Sequence, residues 1–60
     1  SGSEFDVLFL QGMIAHHEGA VSMAEEVKDS ANPEVRKLAA SIIKSQTAEI
    51  ADMKSALENL

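Results

Sequence analysis

The strongest interruption in the chain is Asp29-Ser30-Ala31-Asn32-Pro33, and this stretch decides the fold. Asn is favoured at the N-cap of a helix and Pro at the first helical position, so a helix is predicted to begin at Pro33. Just before the stretch, Lys28 suits a helix C-terminus, where a cation interacts favourably with the helix dipole. The sequence therefore predicts two helices of similar length, at about residues 4–28 and 33–59.

Two helices joined by so short a connection are expected to lie antiparallel, as a helical hairpin. No alternation typical of strands competes with this interpretation, so the predicted fold class is all-α. The first three residues, Ser1-Gly2-Ser3, resemble a remnant of an expression vector. The helical hairpin domain is therefore expected to comprise residues 4–60.

The composition argues against several classes of function. Ten acidic against five basic residues give a net charge of -5, which disfavours nucleic acid and anionic membrane surfaces as partners. No apolar run approaches the roughly 20 residues that a membrane span needs. The chain has no cysteine, so it has no disulfide and no thiolate metal site. So short a chain rarely folds stably without a disulfide, a metal or a partner chain, which leaves the last two.

The hydrophobic pattern predicts wide apolar faces on both helices. At about 100° per residue, one face of the first helix carries Phe5, Phe9, Met13, His16, Ala20, Met23 and Val27, flanked by Val7, Ile14 and Val21. The face of the second carries Val35, Leu38, Ala39, Ile42, Gln46, Glu49, Met53, Ala56, Leu57 and Leu60, flanked by Ile43 and Ile50. Two helices cover only part of such faces, and an uncovered apolar patch marks an interaction surface. We expect a homodimer that forms a four-helix bundle, or partner helices from the rest of a longer chain.

The first helix carries a candidate metal site. In Met13-x-x-His16-His17, the spacings i, i+3 and i, i+4 bring a thioether and two imidazoles to one side of the helix. This donor set suits Cu(I), or Ag(I) as its mimic, and imidazole also binds Cu(II) and Zn(II). Met23 lies two turns beyond His16, and Met53 is a further thioether on the second helix. Alternatively, the methionines fill the core and the histidines are hydrogen-bonded core residues.

Two acidic residues and two glycines also break the apolar pattern. A carboxylate on the predicted buried face, as at Glu49, is costly unless a histidine across the hairpin or a metal satisfies it. Alternatively, Glu49 lies at the edge of this face and reaches water. Asp6 raises the same question, although an acid in the first turn favours the helix dipole and Ser3-x-x-Asp6 resembles a capping box. Gly12 and Gly19 are unfavourable inside a helix, which suggests close helix approach or room for the imidazoles.

Known catalytic signatures are missing from the sequence. The Glu-x-x-His pairs of di-iron carboxylate bundles do not occur, since Glu49 is followed at the third position by Asp52. The zinc-protease pattern His-Glu-x-x-His begins at His17-Glu18 but meets Val21 in place of the second histidine. We therefore expect that the protein is not an enzyme.

Two longer motifs carry a family resemblance. They are Phe5-Asp6-x-x-Phe9-Leu10-x-x-Met13-Ile14-x-His16-His17-Glu18-x-Ala20-x-x-Met23-Ala24 and Gln46-x-x-Glu49-Ile50-x-x-Met53. Together they resemble the signature of the bacterial domain-of-unknown-function 305 family. The resemblance implies a ferritin-like helical bundle, an exported or lipid-anchored protein, and copper binding of the kind connected with copper and silver tolerance.

Carried over to this chain, the resemblance implies that a copper ion binds to Met13, His16, His17 and Met23, with Met53 as a further ligand. It also implies that Asp6 and Glu49 are ligands or orient a histidine. The leading hypothesis is thus an extracytoplasmic module that binds or buffers copper. Its rival is a metal-free structural or interaction module, in which the histidine pair forms hydrogen bonds to buried carboxylates. Redox chemistry at a bound metal is a third, weaker hypothesis.

Overall fold

The computed structural model describes residues 2–60. Ser1, the first residue of the predicted vector remnant, lies outside this range. Two α-helices, α1 (Gly2–Val27) and α2 (Pro33–Glu58), make up nearly all of this range. They pack against each other as a hairpin about 48 Å long, which confirms the predicted all-α fold. The start of α2 coincides with the predicted one, and the other three helix ends lie within two residues of their predicted positions.

The connection between the helices is held by local hydrogen bonds. The side chain of Asn32 caps α2, since its Oδ1 accepts from the backbone N–H groups of Glu34 (2.9 Å) and Val35 (3.2 Å). Ahead of it, the N–H of Ser30 donates to the carbonyl of Val27 at 3.1 Å and closes the end of α1. The guanidinium of Arg36 donates to the carbonyl of Ser30 at 2.8 Å. The predicted capping role of the Asn32-Pro33 pair is therefore confirmed.

The face that α1 turns toward α2 is not the one predicted to be central. Its buried and half-buried side chains are Val7, Leu10, Met13, Ile14, His17, Ala20, Val21 and Ala24. On α2 the corresponding positions are Val35, Ala39, Ile43, Gln46, Ile50, Met53 and Leu57. Both sets advance in steps of three and four residues. This is the repeat of two α-helices that wind around each other as a left-handed coiled coil.

The prediction that Phe5, Phe9, His16, Met23 and Val27 form the packed stripe of α1 is therefore wrong within the hairpin, because these side chains are exposed. A pair of helices meets along a narrow seam at a spacing of 3.5 residues. The smaller aliphatic flank forms this seam, whereas the aromatic stripe, which also repeats in steps of three and four residues, lies to one side of it. The capping box predicted at Ser3 is also wrong, since Ser3 lies inside α1.

The core of the hairpin is thin. The buried hydrophobic residues of the described chain are Ile14, Ala24 and Ala39. Near the connection, the two helices leave an open apolar groove between them, lined by Ala20, Met23, Ala24, Val27, Val35, Leu38, Ala39 and Ile42. Neither helix combines the length and the apolar character that crossing a membrane would require, as far as residues 2–60 are concerned.

Candidate functional site

His17 connects the two helices at the middle of the hairpin. Its side chain is 9% exposed, and its position on the inner side of α1 directs it toward α2. Nδ1 lies 2.7 Å from the backbone carbonyl oxygen of Met13, and Nε2 lies 2.9 Å from Oε1 of Glu49. The imidazole is therefore held at both ring nitrogens.

Both partners of His17 are oxygen atoms that accept hydrogen bonds. A carbonyl oxygen and a carboxylate have no hydrogen to give, so both bonds form together when each ring nitrogen carries a hydrogen. In that protonated state the bridge to Glu49 is an ion pair between an imidazolium and a carboxylate. The hydrogen bond that His17 donates to Glu49 raises the pKa of His17 above its ordinary value of 6.5, and the bond to the carbonyl of Met13 adds to this, while burial acts in the opposite direction.

Glu49 both pairs with a histidine across the hairpin and reaches water, so the two alternatives predicted for it occur together. A histidine across the hairpin is its partner, and 56% of its side chain remains exposed. It thus lies at the edge of the buried face rather than within it. Because a half-exposed carboxylate retains contact with water, the ion pair avoids most of the desolvation that makes a fully buried pair costly.

Met13 and Met53 lie next to this bridge. Met13 precedes His17 by four residues on α1, and Met53 follows Glu49 by four residues on α2, so each is one helical turn from its neighbour. Because the helices are antiparallel, both steps lead in the same direction along the hairpin. Both methionines are half-buried, and the helix pair therefore brings two thioethers to one side of the bridge.

His16 has a different environment from its neighbour. It is exposed, and within residues 2–60 its ring makes no hydrogen bond. The rings of His16 and His17 meet edge to face, with centroids 6.1 Å apart and planes at 67°. Adjacent helical residues point about 100° apart, so one histidine of the pair faces α2 and the other faces solvent.

Two of the predicted site residues are not brought to this cluster. Asp6 is exposed and lies about 16 Å from His17 along the helix axis. Met23 is 72% exposed and lines the apolar groove near the connection instead. The residues in contact are thus Met13, through its carbonyl, His17 and Glu49, with the ring of His16 against that of His17; Met53 lies one turn along α2 from Glu49.

Other features of the site region were not evident in the sequence. The carbonyl of Met13 is a partner of His17 that only the helix geometry reveals. Lys54 and Glu18 form a second ion pair between the helices, at 3.9 Å. The suggestion that Gly12 and Gly19 allow close approach of the helices is not supported, since a Cβ at either position would meet nothing within 4 Å in the described chain.

The chemistry of the cluster depends on its thioethers. Among residues 2–60, no three His, Cys, Asp or Glu side chains come close enough together to hold a metal ion. A site for a hard or borderline ion made of carboxylates and imidazoles alone is thus not formed there. The half-buried Met13 and Met53 add two thioethers to the imidazole of His17, and thioether with imidazole is a donor set for a soft ion.

The fold and this cluster define a small helical hairpin module with a histidine–carboxylate bridge between its helices. Residues 1–57 match the model of a family described as Domain of unknown function (DUF305), so the chain belongs to that family. The resemblance expected from the double-histidine motif is thereby confirmed. No curated protein and no solved structure shows a significant match.

Proposed function

We propose that the hairpin is a binding module for a soft metal ion, with Cu(I) as the ion that its donors fit best. The observation that supports this proposal is the position of the half-buried Met13 and Met53, each one helical turn from the His17–Glu49 bridge, with His16 next to His17 in the chain. Thioether and imidazole together favour Cu(I) and Ag(I) over hard cations. When bound, a copper ion would supply reversible coordination suited to storage or buffering.

His17 is suited to act as a ligand through Nε2. Its Nδ1–H donates to the carbonyl of Met13, and such a bond fixes the ring orientation and raises the basicity of the other nitrogen. Glu49 now occupies Nε2 and would have to release it. Since more than half of the Glu49 side chain is exposed, the carboxylate can rotate toward water. Uptake of the ion then requires loss of the Nε2 proton, so binding weakens as the pH falls.

The remaining residues of the family motif are given lesser roles. Glu49 orients His17 in the metal-free protein and attracts a cation to the site. Met23 and Asp6 lie away from the cluster, so in a single hairpin we propose no direct ligation by either residue. We further propose that the module binds rather than catalyses, and that it works outside the cytoplasm. A donor set without thiolates suits that setting, since it cannot be lost to disulfide formation.

A metal-free structural module is the second candidate, and the double hydrogen bonding of His17 favours it. With Nδ1 and Nε2 both occupied, His17 already has the partners that a buried imidazole needs. In this case the bridge to Glu49 fixes the register of the two helices, and no ion is required.

Anaerobic titration with Cu(I) against a chromophoric competitor separates the two candidates. We expect the parent chain to take up Cu(I), and the double variant Met13→Leu, His16→Ala to lose at least about tenfold in affinity. Met23→Leu is the matched control, because it removes an exposed thioether outside the cluster. Equal uptake by the double variant and the control would refute the metal proposal.

Thermal unfolding in the presence of a chelator supplies the complement. A structural bridge predicts that His17→Ala lowers the midpoint while His16→Ala leaves it nearly unchanged. If this occurs and the parent chain binds no Cu(I), the structural candidate replaces the metal-binding one.

A further inference from the structure

The hairpin has a second surface that the proposed site does not use. We define the outer face as Phe5, Phe9, Met23 and Val27 of α1 together with Leu38 and Ile42 of α2, all of them exposed. We propose that the outer face binds the outer face of a second copy of this chain, so that two hairpins form a four-helix bundle. The two copies are related by a two-fold axis and lie head to tail, meaning that the open end of each hairpin packs on the connected end of the other.

The area that the hairpin exposes agrees with such a dimer. Its accessible surface is 4450 Å². A compact monomer of the same mass exposes about 3,800 Å², so the hairpin exposes roughly 650 Å² in excess. A stable dimer covers about 800 Å² on each partner. The excess is therefore close to the area that one additional hairpin would bury.

The proportions of the chain give the same result. Its radius of gyration is 14.0 Å, whereas a compact domain of this length has about 10 Å. Only one polar and three apolar residues of the described chain are buried, which is too small a core to balance the entropy of ordering the chain. The hairpin has the dimensions and the core of half a bundle.

The two ends of the outer face differ in shape, and this decides the orientation. At the open end of the hairpin, Phe5 and Phe9 project from α1, with 71% and 56% of their surface exposed. At the connected end, the groove lined by Met23, Val27 and Leu38 lies between the helices. Head-to-tail packing brings the rings of one copy to the groove of the other, whereas head-to-head packing would bring groove against groove.

Charge favours the same orientation. Four of the five basic residues lie in the half that contains the connection: Lys28, Arg36, Lys37 and Lys44. The open half contains only Lys54 against five acids: Glu4, Asp6, Glu49, Asp52 and Glu58. Head-to-head packing would bring two strongly acidic halves together, and like charges in proximity repel. The connected half also holds five acids, so its formal charge is -1 whereas that of the open half is -4. Head-to-tail packing therefore sets each strongly acidic half against the half that is nearly neutral.

This arrangement has a consequence for the proposed metal site, and here the inference rests on the proposed function. His16 lies near the middle of α1, on the same side as Phe9 and Met23. A two-fold axis through the middle of the outer face brings His16 of one copy toward the partner's His16. A second copy thus contributes to the site, while the pairing itself depends only on the apolar face.

Sedimentation of the metal-free chain, with chelator present, tests the pairing separately from the metal. We expect a dimer that dissociates on dilution, and Phe9→Glu should weaken the association at least tenfold, equivalent to about 1.4 kcal/mol. Leu8→Glu is the matched control, because Leu8 is also an exposed hydrophobic residue but points about 100° away from Phe9. A parent chain that stays monomeric at all concentrations, or equal effects of the two variants, would overturn the proposal.

Cross-linking tests the orientation, even if the charged variant unfolds. The chain has no cysteine, so a Phe9→Cys chain and a Met23→Cys chain carry one thiol each. When the two are mixed under thiol–disulfide exchange, head-to-tail packing predicts that the mixed disulfide predominates. Predominance of the Phe9→Cys homodimer would show head-to-head packing and contradict the arrangement proposed here.

Discussion

At the scale of single residues, His17 is the buried polar residue of the described chain. Two acceptors, the carbonyl of Met13 and the carboxylate of Glu49, hold its ring nitrogens. The same bonds serve two purposes, since they link α1 to α2 and orient Nε2 toward the region that holds the other donors. If the proposed soft metal ion binds at Nε2, it competes with a proton for that atom, and the state of the atom would couple stability, pH and metal binding.

The pKa of His17 leads to a prediction about pH. Because Glu49 raises the folded-state pKa above 6.5, the bridge contributes its full stability below the unfolded-state pKa of 6.5 and loses it as the pH rises through the folded-state pKa. Urea unfolding of the parent and Glu49→Gln at about pH 6 and about pH 9 measures this contribution. We expect the difference in unfolding free energy between them to shrink at the higher pH. A constant difference would contradict the ion pair.

The sequence predicted some of the site and missed the rest for a physical reason. A histidine partner for Glu49 was foreseeable, since a carboxylate near the core needs one. The sequence could not show that His17 faces α2 while His16 faces solvent, because adjacent residues on a helix differ only in the direction in which they point. Which histidine faces inward depends on which face of α1 packs against α2. The sequence pattern indicated the aromatic stripe as that face, and this was wrong.

At the scale of the helices, local and non-local information had different value. The Asn32-Pro33 pair acts through bonds within a few residues, so the start of α2 could be predicted from the sequence. The packing face of α1 depends on which side chains of α2 lie opposite it. The aromatic stripe has more apolar surface, but Val7, Ile14 and Val21 match the seam. The stripe was therefore correctly identified as apolar and wrongly assigned to the hairpin interior.

The N-cap leads to a prediction about the stability of α2. Replacing Asn32 with Ala removes the acceptor for the N–H groups of Glu34 and Val35, and we expect a loss of about 0.5–2 kcal/mol. Asn32→Asp keeps an acceptor at the same place and should retain most of the stability. Chemical denaturation followed by circular dichroism measures both. Equal losses in the two variants would mean that the side-chain oxygen is not what stabilises the helix start.

The glycines of α1 lead to a second prediction at this scale. A Cβ at Gly12 or Gly19 meets nothing within 4 Å in the described chain. Ala at either position therefore lowers the backbone entropy of the unfolded chain without causing a clash in the folded one. Gly12→Ala and Gly19→Ala should each stabilise the chain by about 0.5–1 kcal/mol. The same denaturation experiment checks this. Destabilisation by either variant would indicate that another chain approaches α1 closely at that glycine.

At the scale of the whole molecule, the hairpin is a folded element whose core is incomplete. The seam between α1 and α2 buries small or aliphatic residues, and the largest apolar side chains remain on the outer face. The metal proposed for the middle of the hairpin and the second copy proposed for its outer face would each add stability to a chain without cysteine. Both act on the folded state only, so each shifts unfolding by mass action.

This linkage leads to a prediction that separates the two sources. In chelator, the thermal midpoint of the parent chain should rise with protein concentration, because dimerisation stabilises only folded chains. Adding Ag(I) at 100 times its dissociation constant should raise the stability by about 2.7 kcal/mol more. The variant Met13→Leu, His16→Ala should lose the Ag(I) effect and keep the concentration dependence, whereas Phe9→Glu should lose the concentration dependence. If Phe9→Glu abolishes the Ag(I) effect as well, the ion is held between two copies, which is the arrangement that a two-fold axis near His16 predicts.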